Sequence, residues 1–265
     1  MMLIATDLDG TLLRADKTIS ARTAAALDRA AEADLPVVLV TGRPIRWLKL
    51  VYEQLATPLP AVCANGAVVY DPSRDQVLRA DPLSPEVLAE IARRLADEVP
   101  DAALAVEIVD GREMRHQIEY PIQWDSAHGG VRAVDAVAEL LTEPAVKLLV
   151  RAGQRDPDEF TARIGKALHG IAEATHSSLS GLVEVSASGV TKAAGLAWYC
   201  DRLGVPAAAV TAFGDMPNDV PMLAWAGRAV AVGNAHPAAK EVADEVVASN
   251  EDDGVAIYIE SLLDS

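Results

Sequence analysis

Two carboxylates one residue apart, Asp7 and Asp9, follow directly on the apolar run Met2-Leu3-Ile4-Ala5 in the stretch Asp7-Leu8-Asp9-Gly10-Thr11-Leu12-Leu13. If the apolar run is a buried strand, alternation sends both carboxylates off one face while Leu8 points the other way. Gly10 then lets the backbone turn at once. Carboxylates converging at a strand's carboxyl end can share a hard cation, and one can act as a nucleophile beside the other. A calcium loop is excluded, because the twelfth position counted from Asp7 is Thr18 rather than the Glu such a loop requires.

Three further stretches could join them. Thr41-Gly42-Arg43 ends a second apolar run, and a Thr hydroxyl with a neighbouring backbone N–H can hold phosphate oxygens. Lys192, in Gly189-Val190-Thr191-Lys192, sits where a helix begins, a place that favours anions. Asp215, in Phe213-Gly214-Asp215-Met216-Pro217-Asn218-Asp219, leaves another strand end, and Asp219 lies four residues on. Oxygen ligands of this kind suit magnesium. Each stretch alone also has a plain structural reading: an Asp-Gly turn, a Gly-containing strand-to-helix turn, a surface lysine, and a helix cap at Asn218 or Asp219.

The positioning elements follow from the apolar pattern. Ser20 caps an alanine-rich helix ending near Ala33, Pro36–Val40 reads as a strand buried on both faces, a helix runs over 45–55, and Ala61–Ala64 is a third buried strand. Strands alternating with helices imply a parallel sheet covered on both faces. From Pro82 the pattern changes to helix 85–98, strand 103–109, an irregular polar stretch, helix 133–141, strand 146–151, helix 157–169 and strand 182–187. Residues 183–187 alternate as a sheet with one open face would. The first pattern then resumes with helix 192–203, strand 208–213, helix 218–225, strand 229–232, helix 236–243, strand 245–248 and helix 254–263. The expected architecture is a doubly wound, Rossmann-like α/β core over residues 1–82 and 189–265, interrupted by an α+β cap over 83–188.

Composition narrows the partners. The 265 residues are 51% hydrophobic but only 4% aromatic, enough for a large core built on closely packed helices. A formal charge of −16 argues against nucleic acid and anionic membranes. Cys63 and Cys200 form no metal or disulfide pattern. With no signal-like or membrane-length apolar stretch, a cytoplasmic protein is expected. No P-loop, dinucleotide fingerprint, nucleophile elbow or zinc-protease motif occurs.

Taken in order, Asp-x-Asp-Gly-Thr, Thr-Gly-Arg, the helix-start Lys and Gly-Asp-x-x-Asn-Asp make the chain resemble the haloacid dehalogenase superfamily of phosphohydrolases. Asn65-Gly66-Ala67, Asn250-Glu251-Asp252-Asp253-Gly254-Val255-Ala256 and the insertion between Arg43 and Lys192 are similar to its Cof-like subgroup. The resemblance implies a magnesium-dependent phosphatase of small phosphorylated metabolites, sugar phosphates or related cofactors, working through an aspartyl-phosphate. Asp7 would be the nucleophile and Asp9 the acid and base, with a raised pKa. Mg2+ would be held by Asp7, Asp9 through its carbonyl, and Asp215, with Asn218 and Asp219 supporting. Thr41, Gly42 and Lys192 would bind the phosphoryl oxygens, and the role of Arg43 stays open. A phosphomutase and a catalytically silent phosphate-binding regulator are the alternatives, and either a monomer or a homodimer fits. In the cap, 112–117, Tyr120, Trp124 and His128 are the expected source of leaving-group contacts.

Overall fold

A computed structural model describes residues 2–108, 111–122, 129–153, 155–177 and 181–264. Two sheets organise them. The core sheet contains β1 (Leu3–Thr6), β2 (Val37–Val40), β3 (Ala61–Cys63), β4 (Val68–Asp71) and β5 (Gln76–Ala80). The cap sheet follows with β6 (Ala103–Ile108), β7 (Met114–Gln117), β8 (Val131–Val134), β9 (Ala145–Arg151), β10 (Ala172–Thr175) and β11 (Leu182–Ala187). The chain then returns to the core sheet with β12 (Val210–Gly214), β13 (Arg228–Ala231) and β14 (Glu245–Val246).

The core order is β14-β13-β12-β1-β2-β3-β4-β5. From β14 to β3 every pairing is parallel, while β4 and β5 add an antiparallel hairpin at the edge. The chain moves one way from β1 to β3 and the other way from β12 to β14. Right-handed crossovers therefore put the connecting helices on opposite faces. On one side α1 (Ala21–Glu32) packs against the terminal α9 (Gly254–Leu263). On the other side α6 (Lys192–Leu203) packs against α7 (Val220–Trp225), which in turn touches α8 (Pro237–Val242). Covered on both faces, β1, β2 and β3 are buried at every position, in keeping with sequences that are apolar but for Thr6. The reversal of direction falls between β1 and β12, the crevice where open α/β sheets place their ligands.

Local chemistry sets the helix starts. Ser20 Oγ accepts from Thr23 N at 2.9 Å ahead of α1, and Thr191 Oγ1 accepts from Ala194 N at 3.1 Å ahead of α6. Gly204, at φ 69°, closes α6 in the left-handed conformation.

The cap sheet has the order β10-β11-β9-β6-β7-β8, antiparallel except for β7 with β8. One face is apolar: Leu104, Val106, Leu148, Val150, Val183 and Val185 bury against Leu88, Ile91 and Leu95 of α3 (Pro85–Glu98) and Phe160 and Ile164 of α5 (Pro157–Ala167). The other face covers the crevice.

Several sequence expectations need correction. The helix expected over 45–55 is a 3₁₀ turn at Ile45–Trp47 followed by the single turn α2 (Lys49–Tyr52). The Gln54 side chain donates back to Leu50 O at 2.8 Å and accepts from Ile19 N at 2.8 Å, so the chain is tied to its neighbours instead of continuing. The helix expected over 133–141 splits into β8 and α4 (Val137–Leu140), because Glu139 caps Ala136 N and starts the helix late. The polar stretch before it contains β7, and β4, β5 and β10 were not anticipated. The open face expected for 183–187 is covered: Glu184 and Ser186 are buried, and Glu184 accepts from Asn65 of the core.

Candidate active site

β1 ends at Thr6, and the next residue, Asp7, is held in place by its backbone N–H to Phe213 O of β12 at 3.0 Å. Asp215 leaves β12 alongside it. The carboxylates of Asp7, Asp215 and Asp219 are buried, with one oxygen from each lying within 4.8 Å of the others. Gly10 permits this packing. A Cβ there would stand 2.3 Å from Asp215 Oδ2, and its φ of +87° already suits glycine alone.

Lys192, at the start of α6, sends its ammonium into the cluster and donates to Asp7 Oδ1 and Asp219 Oδ1, each at 2.6 Å. Asp219 Oδ2 accepts from the backbone N–H groups of Asp215 (3.0 Å) and Met216 (2.9 Å). Asp219 is thus fully committed to positioning Lys192 and the loop after β12. Burial, opposed by Lys192 and reinforced by Asp219, pushes Asp7 up to about 7. Burial together with the charges of Asp7 and Asp219 pushes Asp215 up to about 8, although Thr11 Oγ1 donates to it at 2.9 Å. Burial alone would lower Lys192, but the two carboxylates beside it raise it instead, so the ammonium stays charged.

Asp9 has a different setting. Arg43 grips it with two bonds, Nε to Oδ2 at 2.6 Å and a terminal nitrogen to Oδ1 at 2.7 Å, and Lys17 Nζ adds a contact at 2.8 Å. Burial would raise Asp9, yet these cations outweigh it and hold the carboxyl at about 2. The raised pKa expected for this residue is therefore not found, and its carboxylate stands outside the Asp7–Asp215–Asp219 cluster.

The cluster's chemistry fits a divalent cation. Carboxylates forced together and away from water favour protons or a hard cation with oxygen ligands. Beside them Asn218 Oδ1 is a buried acceptor with no partner among the described residues, so a donor or cation is wanted at that spot. Asp7 and Asp215 have carboxylate oxygens to offer, whereas those of Asp219 are already engaged.

A cavity of about 480 Å³ opens over this centre. Asp7, Asp9, Thr41, Gly42, Arg43, Asp215 and Asn218 line its floor, so the structure brings these sequence candidates together. Lys192 and Asp219 stand behind the floor. Thr41 Oγ1 accepts from Arg43 N at 3.0 Å, leaving its hydroxyl hydrogen for another acceptor.

The cap supplies the roof through Glu107, Tyr120, Lys147, Leu149, Arg151 and Glu184. Of the cap residues proposed from sequence, only Tyr120 is among them. Residues 112–117 do not line the cavity: Arg112 pairs with Asp75, and Arg115 with Glu113 and Glu143. Trp124 and His128 lie outside the described residues. The sequence does carry a signal for Lys147, Arg151 and Glu184, which it does not single out as site residues: they are the charged residues of two mostly apolar strands, with Lys147 and Arg151 on the same alternate face of β9.

Cap and core are joined through this roof. Lys147 Nζ donates to Glu184 Oε1 and to the core carbonyl of Gly42, each at 2.5 Å. Asn65 Nδ2 donates to Glu184 Oε2 at 3.1 Å, and Asn218 Nδ2 donates to Asn65 Oδ1 at 3.0 Å. Arg46 pairs with Glu107 at 2.7 Å, a second tie between core and cap.

Comparison with known proteins agrees with this geometry. The sequence pattern of haloacid dehalogenase-like hydrolases matches residues 4–259. A 5-amino-6-(5-phospho-D-ribitylamino)uracil phosphatase of Bacillus subtilis (strain 168) is 31% identical over 258 residues, covering 97% of this chain and 96% of its own. A pyridoxal phosphate phosphatase of Escherichia coli (strain K12) is 31% identical over 278 residues, covering 98% of each. Among solved structures, a protein of Streptococcus mutans UA159 matches with a TM-score of 0.88 at 24% identity over 100% of both chains. A phosphatase of the same superfamily from Bacteroides thetaiotaomicron matches with a TM-score of 0.82 at 25% identity, over 98% of this chain and 94% of its own. Among the described residues no helix is long and apolar enough to cross a membrane. The chain belongs to the haloacid dehalogenase-like hydrolase family, as an enzyme of its Cof-like phosphatase subgroup.

Proposed function

We propose that this enzyme hydrolyses small phosphorylated metabolites by way of an aspartyl-phosphate on Asp7, with Mg2+ as its cation. The observation that carries the reading is the buried Asp7–Lys192–Asp219 chain opening onto a cavity whose other wall is the cap. The catalytic core is taken as residues 1–82 and 189–265 and the specificity cap as 83–188, in a cytoplasmic protein.

Asp7, Asp215 and the carbonyl of Asp9 would hold the cation, with Asn218 close by. Bound there, it would offset the negative charge that otherwise keeps a carboxylate from approaching a phosphate. Lys192 uses two of its three N–H donors on Asp7 and Asp219, and the third is available to a phosphoryl oxygen. The Thr41 hydroxyl and the Gly42 backbone grip the remaining oxygens. Asp7 attacks phosphorus in line, the bond to the leaving oxygen breaks, and that oxygen takes a proton from Asp9. Water then attacks the aspartyl-phosphate while Asp9 takes the water's proton, which frees phosphate and restores Asp7. Asp9 can carry a proton only after losing its cations, so Arg43 and Lys17 must turn from Asp9 to the substrate before the first step.

The reading is tested by phosphate release from a panel of phosphorylated sugars, nucleotides and cofactors, with Mg2+ and with chelator, alongside Asp7→Asn. Release should need the cation and fall by about 10⁴-fold or more in the variant. Asparagine has nearly the shape of a protonated aspartate, so the fold should persist by circular dichroism. Full release from Asp7→Asn would overturn the mechanism.

A further inference from the structure

The cations around the cavity are unequal. Arg43 and Lys17 are paired with Asp9, and Lys147 is paired with Glu184. Arg151 is different. Its residue is 8% exposed and it lines the cavity, yet no carboxylate lies within ion-pair distance of it among the described residues. Its one hydrogen bond there is a long one, Nε to Tyr120 Oη at 3.3 Å, and its guanidinium carbon stands 5.8 Å from the Tyr120 ring centre. A guanidinium has five N–H donors, and a buried charge without a counter-charge is costly to keep. Among the described residues, most of the Arg151 donors are therefore unanswered, in a cavity whose floor is the proposed phosphate site.

Its place on the strand says what should answer them. Lys147, Leu149 and Arg151 are alternate residues of β9 on the cavity face, and Lys147 reaches the phosphate-gripping loop through Gly42 O. At about 3.3 Å of rise per residue, Arg151 is about 13 Å along the strand from Lys147, with apolar Leu149 between them. Leu182, which pairs with Arg151 in the register of β11, adds a second apolar contact to the roof, beside Arg151 at its far end.

We propose that Arg151 is a specificity residue that binds a second anionic group, a carboxylate or a phosphate, at the far end of the leaving group. The substrate class is then a phosphomonoester whose body spans the apolar middle of the cavity and whose other end is charged. This rests on the phosphatase reading above and adds the chemistry of the group released.

The test reads binding apart from turnover. Calorimetry on full-length Asp7→Asn protein in Mg2+ would compare 6-phosphogluconate with glucitol 6-phosphate, and fructose 1,6-bisphosphate with fructose 6-phosphate. In at least one pair the doubly anionic compound should bind about tenfold to a hundredfold more tightly, as a charge-assisted bond to a buried guanidinium allows. The pair that discriminates identifies the anion. Adding Arg151→Gln should bring the ratio close to one, and Arg151→Lys should keep part of it. The inference is overturned if neither pair discriminates, or if the ratio survives Arg151→Gln. Should that variant not fold, the ratio in the Arg151 protein and its partial loss in Arg151→Lys decide the matter. Phosphate release by the unaltered chain from the same four compounds and from p-nitrophenyl phosphate is scored separately. No release at all would end the phosphatase reading while the binding ratio still judged Arg151.

Discussion

In the core sheet β1, β2 and β3 are buried at every position, and polar chemistry emerges only past their carboxyl ends, at Asp7, Thr41 and Asn65. In the cap sheet β9 and β11 carry Lys147, Arg151 and Glu184 along one face while Leu148, Val150, Val183 and Val185 pack the other. A strand covered on both sides can present charge only at its end, where neighbouring ends converge and each residue is fixed by several others. A strand with one face on a cavity can exchange that face residue by residue without disturbing the packing behind it. On the function proposed above, the core would keep the reaction unchanged and the cap would choose among leaving groups.

The sharpest test of the core half is Lys192→Met. It strands the buried carboxylates of Asp7 and Asp219 without their cation, and should cost about 3–5 kcal/mol of stability at pH 7.5 as well as nearly all turnover. Because Asp7, raised to about 7, is already protonated at pH 5, denaturant unfolding should show a smaller loss there. An equal loss at both values would mean that Lys192 acts through packing. Leu148→Ala tests the cap half. Emptying this fully buried position should cost about 2–5 kcal/mol, yet leave the ranking of substrates by kcat/KM intact. A reordered ranking would break the separation of the two cap faces.

Gly195→Ala tests how tightly the core end is built. Alanine inside a helix ordinarily stabilises by about 1 kcal/mol. Here its Cβ would stand 2.6 Å from Val62 Cγ1 and 2.8 Å from Gly66, so the sign should reverse to a loss of about 1–3 kcal/mol in thermal unfolding.

The smallest effect expected is the few degrees of melting temperature by which a bound cation competes with protons. Asp7 and Asp215 are raised from 3.8 to about 7 and about 8, so the cation-free native state binds more protons than the unfolded chain between those limits. Its stability should fall as pH rises from about 4 through 8. Mg2+ competes with those protons, so it should raise the melting temperature by a few degrees at pH 8 and by less at pH 5.5. Equal gains at both would place the cation elsewhere.

What the sequence made legible follows the same division. Unbroken apolar runs announced β1, β2 and β3, and the motifs at their ends named the floor of the cavity. The edge hairpin β4–β5 was missed because its second strand is only partly buried and carries Gln76 and Arg79, residues that read as loop. In the cap, the conspicuous polar run 112–117 commits its arginines to Asp75, Glu113 and Glu143, away from the cavity. Lys147, Arg151 and Glu184 matter through a register between strands that are distant in sequence. Periodicity can put them on one face but cannot say what that face meets. The low pKa of Asp9 was illegible for a related reason: it depends on Arg43 and Lys17 converging from two separate turns.

One small contact has a larger consequence. The Asn65 amide touches the cap through Glu184 and the acidic centre through Asn218 at the same time. Two equilibria that share a group are bound by reciprocity: the factor by which one shifts the other is the factor by which it is shifted in return. If occupancy of the acidic centre favours a seated cap, a seated cap tightens the cation's binding by the same factor. A turnover cycle built this way tends to fill and to empty as a unit.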